Sequence, residues 1–469
     1  MRSSEQRLKM HNRAKASVVI GLIQAVFLLA FASATIAQAP VQENGSVREG
    51  NPLVLPQSAQ TPPEKPQGIT AGEPRPLYGL QGVIVETLDG KTVASQSADQ
   101  PFNPASTIKL ATALIALRTL GPQYRFATGV WTDGTINNET GTLTGNLYVS
   151  GRDPSFHYEH AVMLARQMNS LGIKTITGNL VVTSGFTMNF ISSARRSGEQ
   201  LYETLDTRLR SPEALRSWTY ERTVLNDRAS LETIPSVVVM GEVQTASAPP
   251  SARLVLTQKS SKLVDILKVL LCYSNNFMAE RIGDTLGGPE SVRRQLIALL
   301  VIPPDTLKIS SLSGLGVNRV TPQDMMKIFR SLRDELQKNG LTPSDVMPVA
   351  GIDPGTMQDR FTGLTSRGSV IAKTGTLART DGGASSLVGQ LKAANGEVLL
   401  FVIMNQRGSV WKFRENQDYL IMQIQGTRGG PKAFDYRPLT LTMQLSDTES
   451  TLESNDDFGP KSQSEMHSP

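Results

Sequence analysis

Three short stretches of this chain set a group that could react beside one that could activate or anchor it. Ser106-Thr-Ile-Lys109 places a hydroxyl and an amine three residues apart at the start of a helical run, hence on one face and within reach. A serine hydroxyl is a weak nucleophile until a base takes its proton. Lysine can be that base only where burial or a neighbouring charge lowers its pKa. Ser274-Asn-Asn276 lies between two helical runs, where a hydroxyl and an amide two residues apart could pass a proton and hold a carbonyl. Lys373-Thr374-Gly375, followed by Thr376, ends an apolar strand. Its ammonium and hydroxyls would hold a carboxylate, and Gly375 would let a substrate backbone lie close. Taken singly, each has a plainer reading: a helix N-cap, a polar turn between helices and a strand-end turn with an exposed lysine.

The elements around them set the frame. At 469 residues the chain is long enough for two or more domains, and apolar runs such as Val398–Ile403 need a core. A hairpin is expected where Asp89-Gly90 separates Gly82–Thr87 from Lys91–Ala94. A buried helix should follow over Pro104–Leu120, stopped by Gly121-Pro122. Short strands with Gly and Asn turns fill 124–249 and read as a β-rich insertion; helical pattern returns at Ser261–Leu271. Strands at Gly368–Lys373, Ser385–Leu391 and Val398–Met404 precede a helix near Trp411–Gln425, so one sheet should draw on both ends of the chain. The fold expected is α/β (α+β).

Composition excludes several classes. One cysteine, Cys272, rules out an internal disulfide framework or a multi-Cys zinc site, and on its apolar helix it should be buried and inert. With only four histidines, His-based catalysis is disfavoured; His157-Tyr-Glu-His160 lacks a third ligand, and its histidines read as polar side chains at the surface. The net charge of +5 is spread without basic-aromatic clusters, which argues against nucleic acid. Five basic residues in 1–17, an apolar run at Val18–Ala34 and small residues to Ala37 read as a secretory signal over 1–37, leaving the body periplasmic or otherwise extracytoplasmic. An uncleaved anchor, and hence association with a membrane surface, stays open. Residues 38–77 read as a Pro/Gln-rich linker and 433–469 as a disordered, acidic, Ser/Thr-rich tail.

Together and in this order, Ser-x-x-Lys, Ser-x-Asn and Lys-Thr-Gly are the signature of penicillin-recognising serine enzymes. Ser274 follows Ser106 by 168 residues, too many for a plain β-lactamase body. The chain resembles the D-Ala-D-Ala carboxypeptidases of the penicillin-binding protein 4 type. The likeness rests on Asn103–Lys109, Gly151-Arg-Asp-Pro154, Gly178-Asn-Leu180, Ser311–Leu315, Met347–Asp353 and Ile371–Leu377, and spans about 78–405. It implies a DD-peptidase body at 78–123 and 250–432, an antiparallel sheet flanked by helices, with 124–249 inserted. It also implies peptidoglycan stem peptides as substrate, β-lactams as covalent inhibitors, and no metal or cofactor. Ser106 would be the nucleophile, Lys109 its base and Ser274 a proton relay. Asn276 would orient the substrate amide, Lys373 and Thr374 would hold the terminal carboxylate, and the N–H groups of Ser106 and Thr376 would form the oxyanion hole. Asp153, with Tyr158 packed on the same side chain, would meet the free amine of the stem peptide's third residue. An Arg usual after the middle motif is missing here or displaced to Arg319. Endopeptidase action would use the same acyl-enzyme, and no oligomeric state follows.

Two rivals remain. A β-lactamase needs a water-activating Glu, and Glu335-Leu-Gln-Lys-Asn339 fits by letter, although Gly340 makes it an ordinary helix end. A non-catalytic wall-binding relative should have lost Ser106, Lys109 or Lys373, and all three are present. A Ser-His-Asp hydrolase would need a Gly-x-Ser-x-Gly elbow, which the chain lacks.

Overall fold

The computed structural model describes residues 78–438 and 440–452. The expected signal and linker both lie outside the described residues. The body is built on a five-stranded antiparallel sheet from β1 (Leu80–Thr87), β2 (Thr92–Gln96), β3 (Val370–Leu377), β4 (Ala384–Lys392) and β5 (Val398–Gln406), in the order β3-β4-β5-β1-β2. Both ends of the chain therefore meet in one sheet, as the strand spacing predicts. The Asp-Gly turn closes the hairpin: Thr87 N donates to Lys91 O at 2.9 Å and Gly90 takes φ +95°, which a side chain would resist. The strand ending in Lys-Thr-Gly runs further than expected. Its pairing with β4 continues from Lys373↔Val388 through Gly375↔Ser386 to Leu377↔Ala384, so the motif lies inside β3.

Alternation along the strands assigns two cores, because successive side chains point to opposite faces. Ile371, Val388, Leu400, Val402 and Met404 join the helical core, whereas Val370, Ala372, Leu387, Phe401 and Ile403 join the other. The first core holds α1 (Lys109–Leu120), α2 (Leu263–Tyr273), α3 (Asn276–Thr285), α4 (Gly288–Leu300) and α5 (Pro322–Lys338). Every residue of α1 from Lys109 to Leu117 is buried, so the helix carrying the first motif runs through the middle of the body. The other face is covered by α6 (Val410–Gly426) through Ile421.

The expected β-rich insertion carries more helix than strand. Tyr158–Ser170 buries His160, Ala161, Leu164, Ala165 and Met168, a stripe at helical period, and Ser211-Pro212 starts another helix with Ser211 Oγ accepting from Ala214 N. Two sheets complete it, of six and four strands. The larger sheet also takes Arg253–Lys259, so its strands continue past residue 249, and Glu449–Leu452 forms its edge.

That edge corrects the expectation of a disordered tail from 433. Tyr436 donates to Asp353 Oδ1 at 2.7 Å, Leu441 is buried, and Arg125 pairs with Asp447 at 2.8 Å and Glu449 at 3.1 Å. The acidic residues that read as solvating are partly spent on that arginine. Among the described residues no helix is long and apolar enough to cross a membrane.

Candidate active site

The first motif sits on a 3₁₀ turn, Ala105–Ile108, that leads into α1. Ala105 takes φ +47°, a left-handed conformation costly for a residue with a Cβ. Its surroundings hold it there. Ala105 N donates to Asn103 Oδ1 at 3.0 Å, and Thr107 Oγ1 donates to Pro104 O at 2.7 Å. Two glycines from distant elements press on the same turn. A Cβ on Gly314 would lie 2.1 Å from Ala105 O, and one on Gly375 would lie 2.5 Å from Pro104 O and 3.1 Å from Ser106 N. Gly375 was expected to admit a substrate backbone; in the fold it admits the backbone that carries Ser106.

The second motif ends α2 and starts α3. Ser274 closes α2 in a left-handed conformation at φ 56°, ψ 39°. The two asparagines part company: Asn275 caps α3, accepting from Met278 N at 3.0 Å, while Asn276 turns its Oδ1 to Lys109 Nζ at 2.8 Å. One turn along α3, Glu280 accepts from Ser313 N at 2.9 Å and fixes that peptide unit. The Ser313 carbonyl faces Lys109 Nζ at hydrogen-bonding range and lies 3.3 Å from Ser106 Oγ. Neither Glu280 nor that carbonyl was singled out from sequence. The i, i+4 step from Asn276 to Glu280 was a usable signal for the first, whereas nothing in a sequence marks a backbone carbonyl.

Lys109 Nζ lies 2.9 Å from Ser106 Oγ, with Asn276 Oδ1 and Ser313 O as its other neighbours. Burial drives Lys109 well below an ordinary lysine; the Lys373 charge pushes the same way and Glu280 opposes. A neutral amine has two N–H bonds for Asn276 Oδ1 and Ser313 O and a lone pair for the Ser106 hydroxyl, so it can receive the Ser106 proton. Lys373 is fully buried, donates to Ser274 Oγ at 2.8 Å and to Thr374 O at 2.7 Å, and is pushed by burial down to about 7. All three motifs thus converge, with Ser106–Lys109–Asn276 and Ser274–Lys373 as two hydrogen-bonded groups.

The sequence family of D-Ala-D-Ala carboxypeptidase 3 (S13) matches residues 74–193 and 221–421. The chain belongs to this family. It is a cell-wall peptidase of the D-Ala-D-Ala carboxypeptidase class, which places its action outside the cytoplasm. A carboxypeptidase of Mycobacterium tuberculosis is 27% identical over 375 residues, covering 72% of this chain and 79% of that protein. In fold, the peptidase is similar to a penicillin G-acylated predatory endopeptidase from Bdellovibrio bacteriovorus, with TM-score 0.66 at 24% identity, covering 77% of this chain and 96% of that one. It is also similar to penicillin binding protein 4 from Haemophilus influenzae, with TM-score 0.54 at 23% identity, covering 74% and 97%.

The other expected site residues make contacts of their own. Asp153 is 5% exposed, and its Oδ1 accepts from Ser155 N at 2.8 Å and Ser155 Oγ at 2.6 Å. Burial raises its pKa, so this carboxyl serves its own loop first. Tyr158 is half-buried against the core of the insertion and accepts from Gln200 Nε2 at 3.4 Å. Arg319, the displaced arginine, is spent on Asp381 at 2.7 Å, which also takes Asn103 Nδ2 at 2.7 Å. His160 is not a surface residue. It is buried, its Nδ1 accepts from His157 N at 3.0 Å, and its Nε2 faces Leu445 O at 3.3 Å. With Glu159 the two histidines bring ligand-type atoms within 4.8 Å of one another, but the helix cap already occupies His160 Nδ1. Cys272 is buried and pushed up to about 12 by desolvation, which leaves a thiol without thiolate character.

Proposed function

We propose that this peptidase removes the terminal D-Ala of peptidoglycan stem peptides through an acyl-enzyme on Ser106, and that penicillins acylate the same serine. Ser106 Oγ attacks the carbonyl of the penultimate D-Ala as its proton passes to Lys109 Nζ. The resulting oxyanion is held by the N–H groups of Ser106 and Thr376, each donor contributing about 3–4 kcal/mol. Ser274, whose Oγ is held by Lys373, delivers a proton to the leaving amine. Asn276 commits its Oδ1 to Lys109, so its Nδ2 is left to orient the substrate amide. Thr374 and Thr376 take the terminal carboxylate, and water hydrolyses the ester without metal or cofactor. The observation that most supports this reading is the buried Lys109 amine 2.9 Å from Ser106 Oγ, with a second buried amine nearby to keep it neutral. A further support is that β3 is an edge strand whose outer side, among the described residues, pairs with 348–350 only as far as Ala372, so from Lys373 to Leu377 it can take an extended peptide alongside.

Incubation with purified muropeptides, read by mass spectrometry, tests the reaction. Loss of one D-Ala from monomeric stems is the expected product; halving of cross-linked dimers alone would move the activity to endopeptidase, and no product would overturn both. Two variants sharpen the picture. Gly375→Ala should slow acylation roughly 100-fold while the chain stays folded, because its methyl displaces the Ser106 turn by a fraction of an ångström to an ångström. An unchanged labelling rate would show that the approach of β3 to that turn is immaterial. Glu335→Gln should leave the lifetime of the penicilloyl adduct unchanged at many minutes. Glu335 pairs with Arg118 at 3.0 Å on α5, and Gly340 follows the helix at φ +69°, as an ordinary helix end should. Rapid penicillin turnover that vanished in this variant would restore the β-lactamase reading.

A further inference from the structure

Beyond the three motifs, a guanidinium stands at the end of the Lys-Thr-Gly strand. Thr374 and Thr376 are two apart on β3 and share the face that looks toward α6. From α6, Arg414 Nη2 donates to Thr376 Oγ1 at 2.7 Å. Its neighbourhood offsets that charge only in part, because Asp418 attracts it while Arg360 repels it. Asp418, one turn along α6, is committed to Arg360, whose Nε donates to its Oδ1 at 2.9 Å. Among the described residues no carboxylate lies within 4.0 Å of the Arg414 guanidinium. Lys373, next to Thr374 in sequence, falls on the opposite face of β3, and its ammonium is already shared between Ser274 Oγ and Thr374 O. A guanidinium stays charged at any pH a protein meets, and its planar fork matches a carboxylate.

We propose that Arg414 binds the carboxylate carried by the leaving amino acid and so selects substrates whose leaving amine sits beside a free carboxylate. This assignment rests on the Ser106 acyl-enzyme reading above. With the scissile carbonyl at the N–H groups of Ser106 and Thr376, the carboxylate of a terminal D-Ala falls next to the two threonine hydroxyls and within the span of the Arg414 side chain. A cross-link ending on a simple lysine-type side chain has no such carboxylate and would leave Arg414 unpaired, which makes it a poor substrate.

The test compares an N-acetylated peptide ending in D-Ala-D-Ala with the same peptide as its C-terminal carboxamide, on the full chain and on R414Q and R414K. For R414Q the ratio of kcat/KM, free acid over amide, should fall roughly 10- to 100-fold, as loss of a charge-assisted pair requires. R414K should fall between the two, because it keeps the charge and loses the fork. Should amide hydrolysis prove too slow to measure, the acylation rates by a penicillin and by its methyl ester give the same ratio. An unchanged ratio, whether both substrates slow together or neither does, overturns the assignment of Arg414 alone. Failure of the wild-type chain to cleave either peptide or to be acylated overturns the acyl-enzyme reading and this assignment with it.

Discussion

Replacing Ser106 with alanine is expected to abolish covalent labelling by a fluorescent penicillin and to lower D-Ala release roughly 10⁴- to 10⁶-fold, the loss seen when a serine nucleophile is removed outright. Fold and melting temperature should survive, since the side chain is partly exposed and its Oγ is tied only to Lys109 and, at 3.3 Å, to Ser313 O. The turn itself is held by Asn103, Gly314 and Gly375, none of which needs the hydroxyl. Labelling by penicillin on denaturing gels, with circular dichroism as the folding control, decides the matter. Label that persists in the alanine variant would show that another nucleophile carries the reaction.

The second large effect is expected at Lys109. Changing it to Met keeps the length and apolar stem but removes the base, so acylation should fall about 10²- to 10⁴-fold. In the wild-type chain acylation should rise with pH as the last Lys109 ammonium loses its proton, and this acid limb should vanish in the variant. Stability offers an independent reading. The folded chain holds Lys109 less protonated than the unfolded chain does, so the unfolded state binds the extra proton, and stability rises with pH until the unfolded lysine itself titrates near about 10.4. At neutral pH the buried amine therefore costs stability, and Met does not carry that cost. Thermal melts taken downward from pH 10 should show the difference between the two proteins moving in favour of Lys109→Met until the folded lysine itself takes up a proton. A difference independent of pH would mean that Lys109 is protonated in the fold and is not the base.

Much of the frame was legible because it depends on local pattern. The Asp-Gly hairpin, the all-apolar helix behind Ser106 and the three terminal strands each follow from periodicity and turn chemistry, and they fall at or within a few residues of their expected bounds. The strands of the insertion are legible from their Gly and Asn turns, but its helices are not, because strands of two to six residues beside those turns mask the helical stripe His160–Met168. The C-terminal segment failed for another reason. Its polar composition suits solvent, yet a strand at a sheet edge needs only backbone partners, and Glu449–Leu452 finds them on Leu256–Lys259.

By itself the sequence determined which residue types are available for the chemistry and in what order they come: Ser106 with Lys109, Ser274 with Asn276, Lys373 with two threonines. A hydroxyl and an amine three apart on a helix must share a face, so that pairing needs no fold to be read. Tertiary structure alone decided the rest. It turned Asn276 rather than Asn275 toward the lysine, brought the Ser313 carbonyl and Glu280 to the same point, and tied Asp153 Oδ1 to Ser155. It also set Arg414 beside Thr376 across 38 residues of chain. The protonation of Lys109 belongs here as well. A lysine is a base only where water and countercharge are withheld, and both depend on how α1, α3 and β3 close around it, which no spacing of residues encodes.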